Sequence, residues 1–157
     1  MKICQDIYMV GSGAIGLSEA HDCHVYLIDG GSDLALIDAG LGLDVDRIVA
    51  NIRSEGFDEK RISQILLSHC HVDHAGGCKE LKALTGAQIV CTELEGRLLK
   101  SGAVEELGLD RAKRSGLFPQ DYVFDHVKPD RIVEDGETLM VGRYEVRVII
   151  VSGHSLA

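Results

Sequence analysis

The residues best equipped for chemistry lie in one six-residue run, His69-Cys70-His71-Val72-Asp73-His74. Three imidazoles and a carboxylate are the donor set expected for zinc and other borderline divalent metals. The run follows the apolar segment Ile65-Leu66-Leu67 and precedes Ala75-Gly76-Gly77. Residues 69 and 71, leaving a strand end, point the same way, so both rings can close on one ion. Asp73 and His74 fall where the next helix begins and the chain turns, so they can aim at a neighbouring position. One strand-to-helix corner thus offers ligands to two adjacent metals, with glycines behind it that allow close backbone approach. A solvated loop accounts for one histidine, not for three with an aspartate at this spacing. Alternation points Cys70 away from the metal.

His154 is the second anchor. It follows an alternating strand over 144–151 through Ser152-Gly153. A third imidazole would hold the first ion and leave one coordination position open. Asp38 ends the run Leu34-Ala35-Leu36-Ile37 and needs partners for its carboxylate. It either caps the following helix or orients the ligand loop from behind.

Other signals are weaker. Gly11-Ser12-Gly13-Ala14-Ile15-Gly16 matches a dinucleotide fingerprint. Only about seven residues separate it from the next strand, too few for a crossover helix of ~10–12 residues. It reads as a loop flanking a cleft. His21, Cys23 and His24 imitate a metal site but read as a strand edge. Cys78 reads as a small core hydrophobe, and His126 as a surface residue. Within 103–130, Lys113, Arg114, Tyr122 and Phe124 are minor candidates for substrate contact.

The elements that must position these groups can be read from periodicity. Strands are expected at 3–10, 23–29 and 34–38, the last two joined by a Gly30-Gly31 hairpin turn. Val45, Ile48, Val49 and Ile52 form a helical stripe, with Asp44 as N-cap and Gly56 as stop. A short strand at 65–67 leads into the histidines. A second helix carries Ala75, Cys78, Leu81 and Leu84 and closes at Gly86. A strand at 87–91 leads to a third helix, which Thr92 and Glu95 open as a capping box and which ends near Gly102. The segment 103–130 breaks periodicity. Asp135-Gly136 then turns between strand-like runs. Mixed hairpins with interspersed helices indicate an α+β layered fold.

The chain has 157 residues, the length of one domain over 1–157, with 45% hydrophobic residues and a net charge of −9. That acidity counsels against a nucleic-acid partner, and no apolar run reaches the ~18 residues of a membrane span. Five cysteines, an odd number, and no secretory signal lead to the expectation of a cytoplasmic protein with reduced thiols.

Three motifs in order resemble the metallo-β-lactamase-fold hydrolases, the superfamily that includes glyoxalase II-like thioesterases and lactonases. Asp38-Ala39-Gly40 looks like the first element, His69 to His74 is the H-x-H-x-D-H signature, and Gly153-His154-Ser155 looks like the third. The resemblance implies an αβ/βα sandwich with metals at one edge. His69, His71 and His154 would bind the first metal, and Asp73 and His74 the second. Two zinc ions would fill a complete site, with iron or manganese as alternatives. The family continues past the third motif and supplies a bridging Asp and a final His there, so this sequence resembles its N-terminal portion. The implied activity is hydrolysis of a small ester, thioester, lactone or amide by a metal-bound hydroxide, with Asp73 orienting the nucleophile or taking its proton. Partners would be a small-molecule substrate and further copies of the chain in a homo-oligomer. Competing readings are a mononuclear-iron oxidoreductase resembling persulfide dioxygenases, a nuclease of the same superfamily, and a non-catalytic fragment that folds through a partner chain. Flavodiiron-type oxygen reductases resemble a pattern with Glu where this chain has His71.

Overall fold

The computed structural model describes residues 1–102, 105 and 107–154. Seven strands form one mixed sheet in sequential order. The N-terminal four, β1 (Lys2–Cys4), β2 (Ile7–Gly11), β3 (Val25–Asp29) and β4 (Leu34–Ile37), run antiparallel to their neighbours. From β4 the sheet continues in parallel through β5 (Ile62–Leu66), β6 (Gln88–Thr92) and β7 (Arg131–Val133). Parallel neighbours need crossovers, and the helices supply them: α1 (Val45–Ser54), α2 (Val72–Ala75), α3 (Cys78–Thr85), α4 (Glu93–Ser101) and α5 (Leu109–Arg114).

Alternation along the strands divides the interior. Leu36, Ile65 and Ile89 pack with Ile48, Ile52 and Leu81 from the helices. Their neighbours Ala35, Leu66 and Val90 face the other way, onto Leu139 and Val141 of a hairpin, β8 (Thr138–Val141) and β9 (Tyr144–Arg147). Burial of each large aliphatic side chain stabilises by about 1.5–3 kcal/mol, which fixes strand register, since a slip of one residue would exchange the two faces.

The helix signals act as the sequence predicts. Asp44 accepts from Arg47 N, all four residues of the α1 stripe are buried, and Gly56 follows the helix at φ 88°. Gly86 ends α3 in the left-handed conformation.

Three expectations change. Residues 3–10 form two strands, because Asp6 at φ 62° turns the chain and its carboxylate receives Arg143 Nη2 and the Tyr144 hydroxyl at 2.7 and 2.5 Å. The helix expected from Ala75 to Leu84 is split at Gly76-Gly77 into α2 and α3. The strand expected over 144–151 ends at Arg147; from Val148 the chain is held instead by the Asp135-Gly136 turn, with Gly136 N bonded to Val148 O and Ile150 N to Asp135. Among the described residues, no helix is long and apolar enough to cross a membrane.

Candidate metal centre

The ligand corner grows directly out of the sheet. β5 pairs with β6 one residue beyond its end, through Leu67 N to Val90 O at 3.0 Å. The chain then leaves the sheet, and His71 sits at the N-cap of α2. Gly76 and Gly77 let this corner lie on the 39–41 loop: a Cβ on either would stand 2.1 Å from a backbone oxygen, of Leu41 and Ala39 respectively. Cys70 turns inward, its N–H donating to the buried Glu95 carboxylate at 2.7 Å, so α4 braces the corner from behind.

Asp38 organises the histidines. It is 4% exposed and adopts φ 63° at the end of β4. Its carboxylate accepts the Ser68 N–H, the Ser68 hydroxyl and His74 Nδ1–H, each at 2.8 Å. The Ser68 hydroxyl, its proton committed to Asp38, accepts from His69 Nδ1–H at 3.0 Å. One carboxylate thereby sets both tautomers and leaves Nε2 of His69 and of His74 with a free lone pair. Of the two roles read for Asp38, the geometry is that of orienting the ligand loop.

Three imidazoles converge beside this network. His69 Nε2 lies 3.1 Å from His71 Nδ1, and the His154 ring centroid lies 4.8 and 4.9 Å from those of His69 and His71. Ligand nitrogens of all three fall within 4.8 Å of one another. Nitrogens bound to one tetrahedral ion at 2.0–2.1 Å stand about 3.3 Å apart, close to the His69–His71 spacing. Burial, then the neighbouring histidine charges, holds His69 down to about 4. Burial and His154 lower His71 as well. Both rings are therefore neutral at pH 7, as a metal ligand must be. Geometry and donor chemistry fit a borderline divalent cation.

Asp73 and His74 stand to one side. Asp73 Oδ2 is 3.6 Å from His74 Nε2, a separation two ligands of one ion can have. Burial pulls His74 down, but the Asp38 hydrogen bond and charge outweigh it and the net shift is upward. Sequence reading missed Cys23, taken as a strand edge. Its thiol, the Asp38 carboxylate and a His74 nitrogen fall within 4.8 Å of one another, and burial followed by the Asp38 charge pushes the thiol well above its ordinary range. Contacts across the fold bring it there, among them Cys23 N to Asp73 O at 3.3 Å and Leu41 N to the Asp22 carboxylate at 2.7 Å. His24 instead bonds Ser12 at 2.9 Å and His21 bonds Glu19.

A cleft of about 720 Å³ opens over His71, Asp73, His74 and His154. Ala14 of the glycine-rich loop lines it, as expected of a loop flanking a cleft, and β2 passes antiparallel to β3 with no crossover helix. Of the minor candidates, Tyr122 and Phe124 are buried, with the Tyr122 hydroxyl donating to Leu41 O at 2.8 Å. Lys113 and Arg114 lie off the cleft wall, which is built instead from Leu107, Gly108, Arg111, Ala112, Ser115 and Phe118. Cys78 is fully buried, as read, and His126 is exposed.

The sequence model of the metallo-beta-lactamase superfamily matches residues 19–157. Over 122 residues the chain is 30% identical to a hydroxyacylglutathione hydrolase of Rhodospirillum rubrum, covering 78% of this chain and 35% of that protein. An acyl-coenzyme A thioesterase of Gallus gallus is 25% identical over 93% of this chain and 57% of its own length. Among solved structures, a subclass B3 metallo-beta-lactamase of Bradyrhizobium japonicum superposes with a TM-score of 0.79 at 31% identity, over 99% of this chain and 52% of that one. A metallo-beta-lactamase of Cronobacter sakazakii gives 0.80 at 26%, over 99% and 55%. The chain therefore spans about half the length of these structures. The architecture is the N-terminal portion of their fold, and the chain belongs to the metallo-beta-lactamase superfamily.

Proposed function

We propose that this chain carries the metal-binding part of a hydrolase acting on a small ester, thioester, lactone or amide. The convergence of the His69, His71 and His154 rings beside Asp73 and His74 carries the reading. His69 Nε2, His71 Nδ1 and His154 would hold the first ion; Asp73 and His74 Nε2 would contribute to a second. Relatives named as hydrolases of acylglutathione and acyl-coenzyme A support the reaction class.

A divalent metal held there supplies Lewis acidity and lowers the pKa of a bound water towards about 7. The residues around it do the rest. Ser68 and Asp38 hold His69 in the tautomer that offers Nε2. Asp38 does the same for His74. Asp73, whose side chain is about one-third exposed at 32%, lines the cleft next to the ligand histidines; with a metal bound it would orient the attacking water and take its proton. Leu107 and Phe118 narrow the cleft and limit bulk water around the scissile carbonyl. No protein nucleophile is required.

The test is calorimetric titration with zinc, followed by hydrolysis of a neutral aryl ester. One tight zinc site per chain is expected, lost in His71→Ala, because three nitrogens meet at the first position while the second keeps two side chains. Two tight sites per chain, or zinc affinity unchanged in His71→Ala, would overturn the assignment.

A further inference from the structure

Beside the three-imidazole centre lies a second group of donors, of different chemistry. The Cys23 thiol, the Asp38 carboxylate and a His74 nitrogen fall within 4.8 Å of one another, and none of the three belongs to the His69, His71 and His154 group. They come from three stretches of chain: the segment before β3, the residue after β4, and α2. The two groups also differ in access. An opening of about 380 Å³ has Cys23, Asp38 and His74 in its lining, with Asp22 and Asp73 beside them. None of His69, His71 and His154 lines it.

The three donors are committed to different degrees. Asp38 Oδ2 accepts the Ser68 hydroxyl and His74 Nδ1–H, and Oδ1 accepts Ser68 N–H, each at 2.8 Å. The thiol is half-buried, and its bond to His24 O is long, at 3.6 Å. A cation entering here therefore gains chiefly its bond to sulfur, and it competes for the carboxylate that orients His69 and His74. Soft cations gain most from a thiolate. A borderline ion such as zinc has three converging imidazoles to go to instead, and fills that centre first.

We propose that Cys23, Asp38 and His74 form a separate site for a soft, thiophilic cation, and that filling it antagonises the imidazole centre. The thiol releases its proton to solvent as the metal–sulfur bond forms. Asp38 supplies an oxygen and His74 a nitrogen. Asp22 and Asp73 at the opening, in a chain of net charge −9, favour entry of a cation. Once seated, the ion draws on the carboxylate that holds His69 through Ser68, and it adds positive charge beside the first metal. Both effects loosen the grip of the imidazole centre. The site needs no catalysis, so it goes beyond the hydrolase reading.

The experiment uses the whole chain, loaded with one equivalent of zinc and titrated with cadmium. Cadmium binding is read from its thiolate charge-transfer absorbance, and zinc affinity by calorimetry with and without cadmium. Cys70, Cys78 and Cys91 are buried, and the exposed Cys4 is controlled by Cys4→Ser. The sulfur band is expected in the wild type and in Cys4→Ser. It should be absent from Cys23→Ser, whose zinc affinity stays that of the wild type. His74→Ala should keep the band but weaken cadmium about tenfold or more, through loss of one ligand of three. Cadmium should lower zinc affinity about tenfold in the wild type and much less in Cys23→Ser. A band that survives Cys23→Ser, or vanishes in Cys4→Ser, overturns the site. Cadmium affinity unchanged in His74→Ala leaves a thiol acting alone and overturns the three-donor assignment. Zinc lost in Cys23→Ser overturns the separation of the two sites, and zinc affinity untouched by cadmium overturns the antagonism. If the chain binds no zinc, the hydrolase reading falls, while the sulfur band still decides this site.

Discussion

The histidines of the cluster come from two regions built differently. His69 and His74 sit on a corner whose every side is fixed: Asp38 and Ser68 hold the rings, Glu95 holds the backbone at Cys70, and Gly76-Gly77 rest on the neighbouring loop. His154 lies on an exposed stretch beyond the last strand, with Ile149 70% and Val151 79% exposed just before it. The corner is braced by buried side-chain bonds, whereas the arm is held through backbone bonds of Val148 and Ile150 to the 135–137 turn. Ordering a residue costs about 1–2 kcal/mol, so equal ligand chemistry does not yield equal contributions to affinity.

Zinc titrations of three variants would break that contrast. His69→Ala should weaken zinc most, by about a thousandfold or more, since it removes a ligand already in place. Asp38→Ala, which leaves all ligands present but frees two rings, should cost about 10–100-fold. His154→Ala should cost only about tenfold, because the lost bond is offset by the ordering of the arm that is no longer required. A loss at His154 as large as at His69 would mean that the arm is as rigid as the corner.

Acid sharpens the same contrast in the metal-free chain. His69 is held at about 4 against an ordinary 6.5. The unfolded chain therefore binds the extra proton first, and the stability His69 contributes is complete above about pH 6.5 and is lost as pH falls through about 4. His74 is shifted upward and acts oppositely, contributing below its ordinary value and losing that contribution as pH rises through its raised one. Urea midpoints should fall between pH 7 and 4.5, with a smaller fall in His69→Gln; identical slopes would remove His69 as the cause. The smallest effect is expected behind the corner. Tyr122→Phe strands the Leu41 carbonyl and should cost about 1–2 kcal/mol, read as a lower melting temperature.

Much of the corner was legible from residue types and spacing alone. His69, His71, Asp73 and His74 are close in sequence, so local geometry largely decides where they point, and Asp44, Gly56 and Gly86 mark their helix ends through local backbone chemistry. His154 was reached through the need for a third imidazole and through the family resemblance, although the strand expected before it ends at Arg147. What stayed hidden depends on distant chain. Asp6 turns the chain where Arg143 and Tyr144 receive it, so residues 3–10 could not be divided by their own pattern. Cys23 meets His74 only through the folded sheet. α5 has two buried residues, Leu109 and Ala112, in six, too short a stripe to register as periodicity. Of the substrate-facing candidates, Tyr122 and Phe124 go to the core, and Lys113 and Arg114 lie off the cleft wall.

The bonds from Asp6 to Arg143 and Tyr144 span 137 and 138 positions of sequence. Such a closure gains its enthalpy only after a long loop has paid its entropy, and contacts of that separation form slowly. The hairpin they fasten leads into the segment that bears the last imidazole. The clasp between Asp6 and the β8–β9 hairpin is therefore expected to close late in folding, and with it the geometry that carries His154 towards the corner.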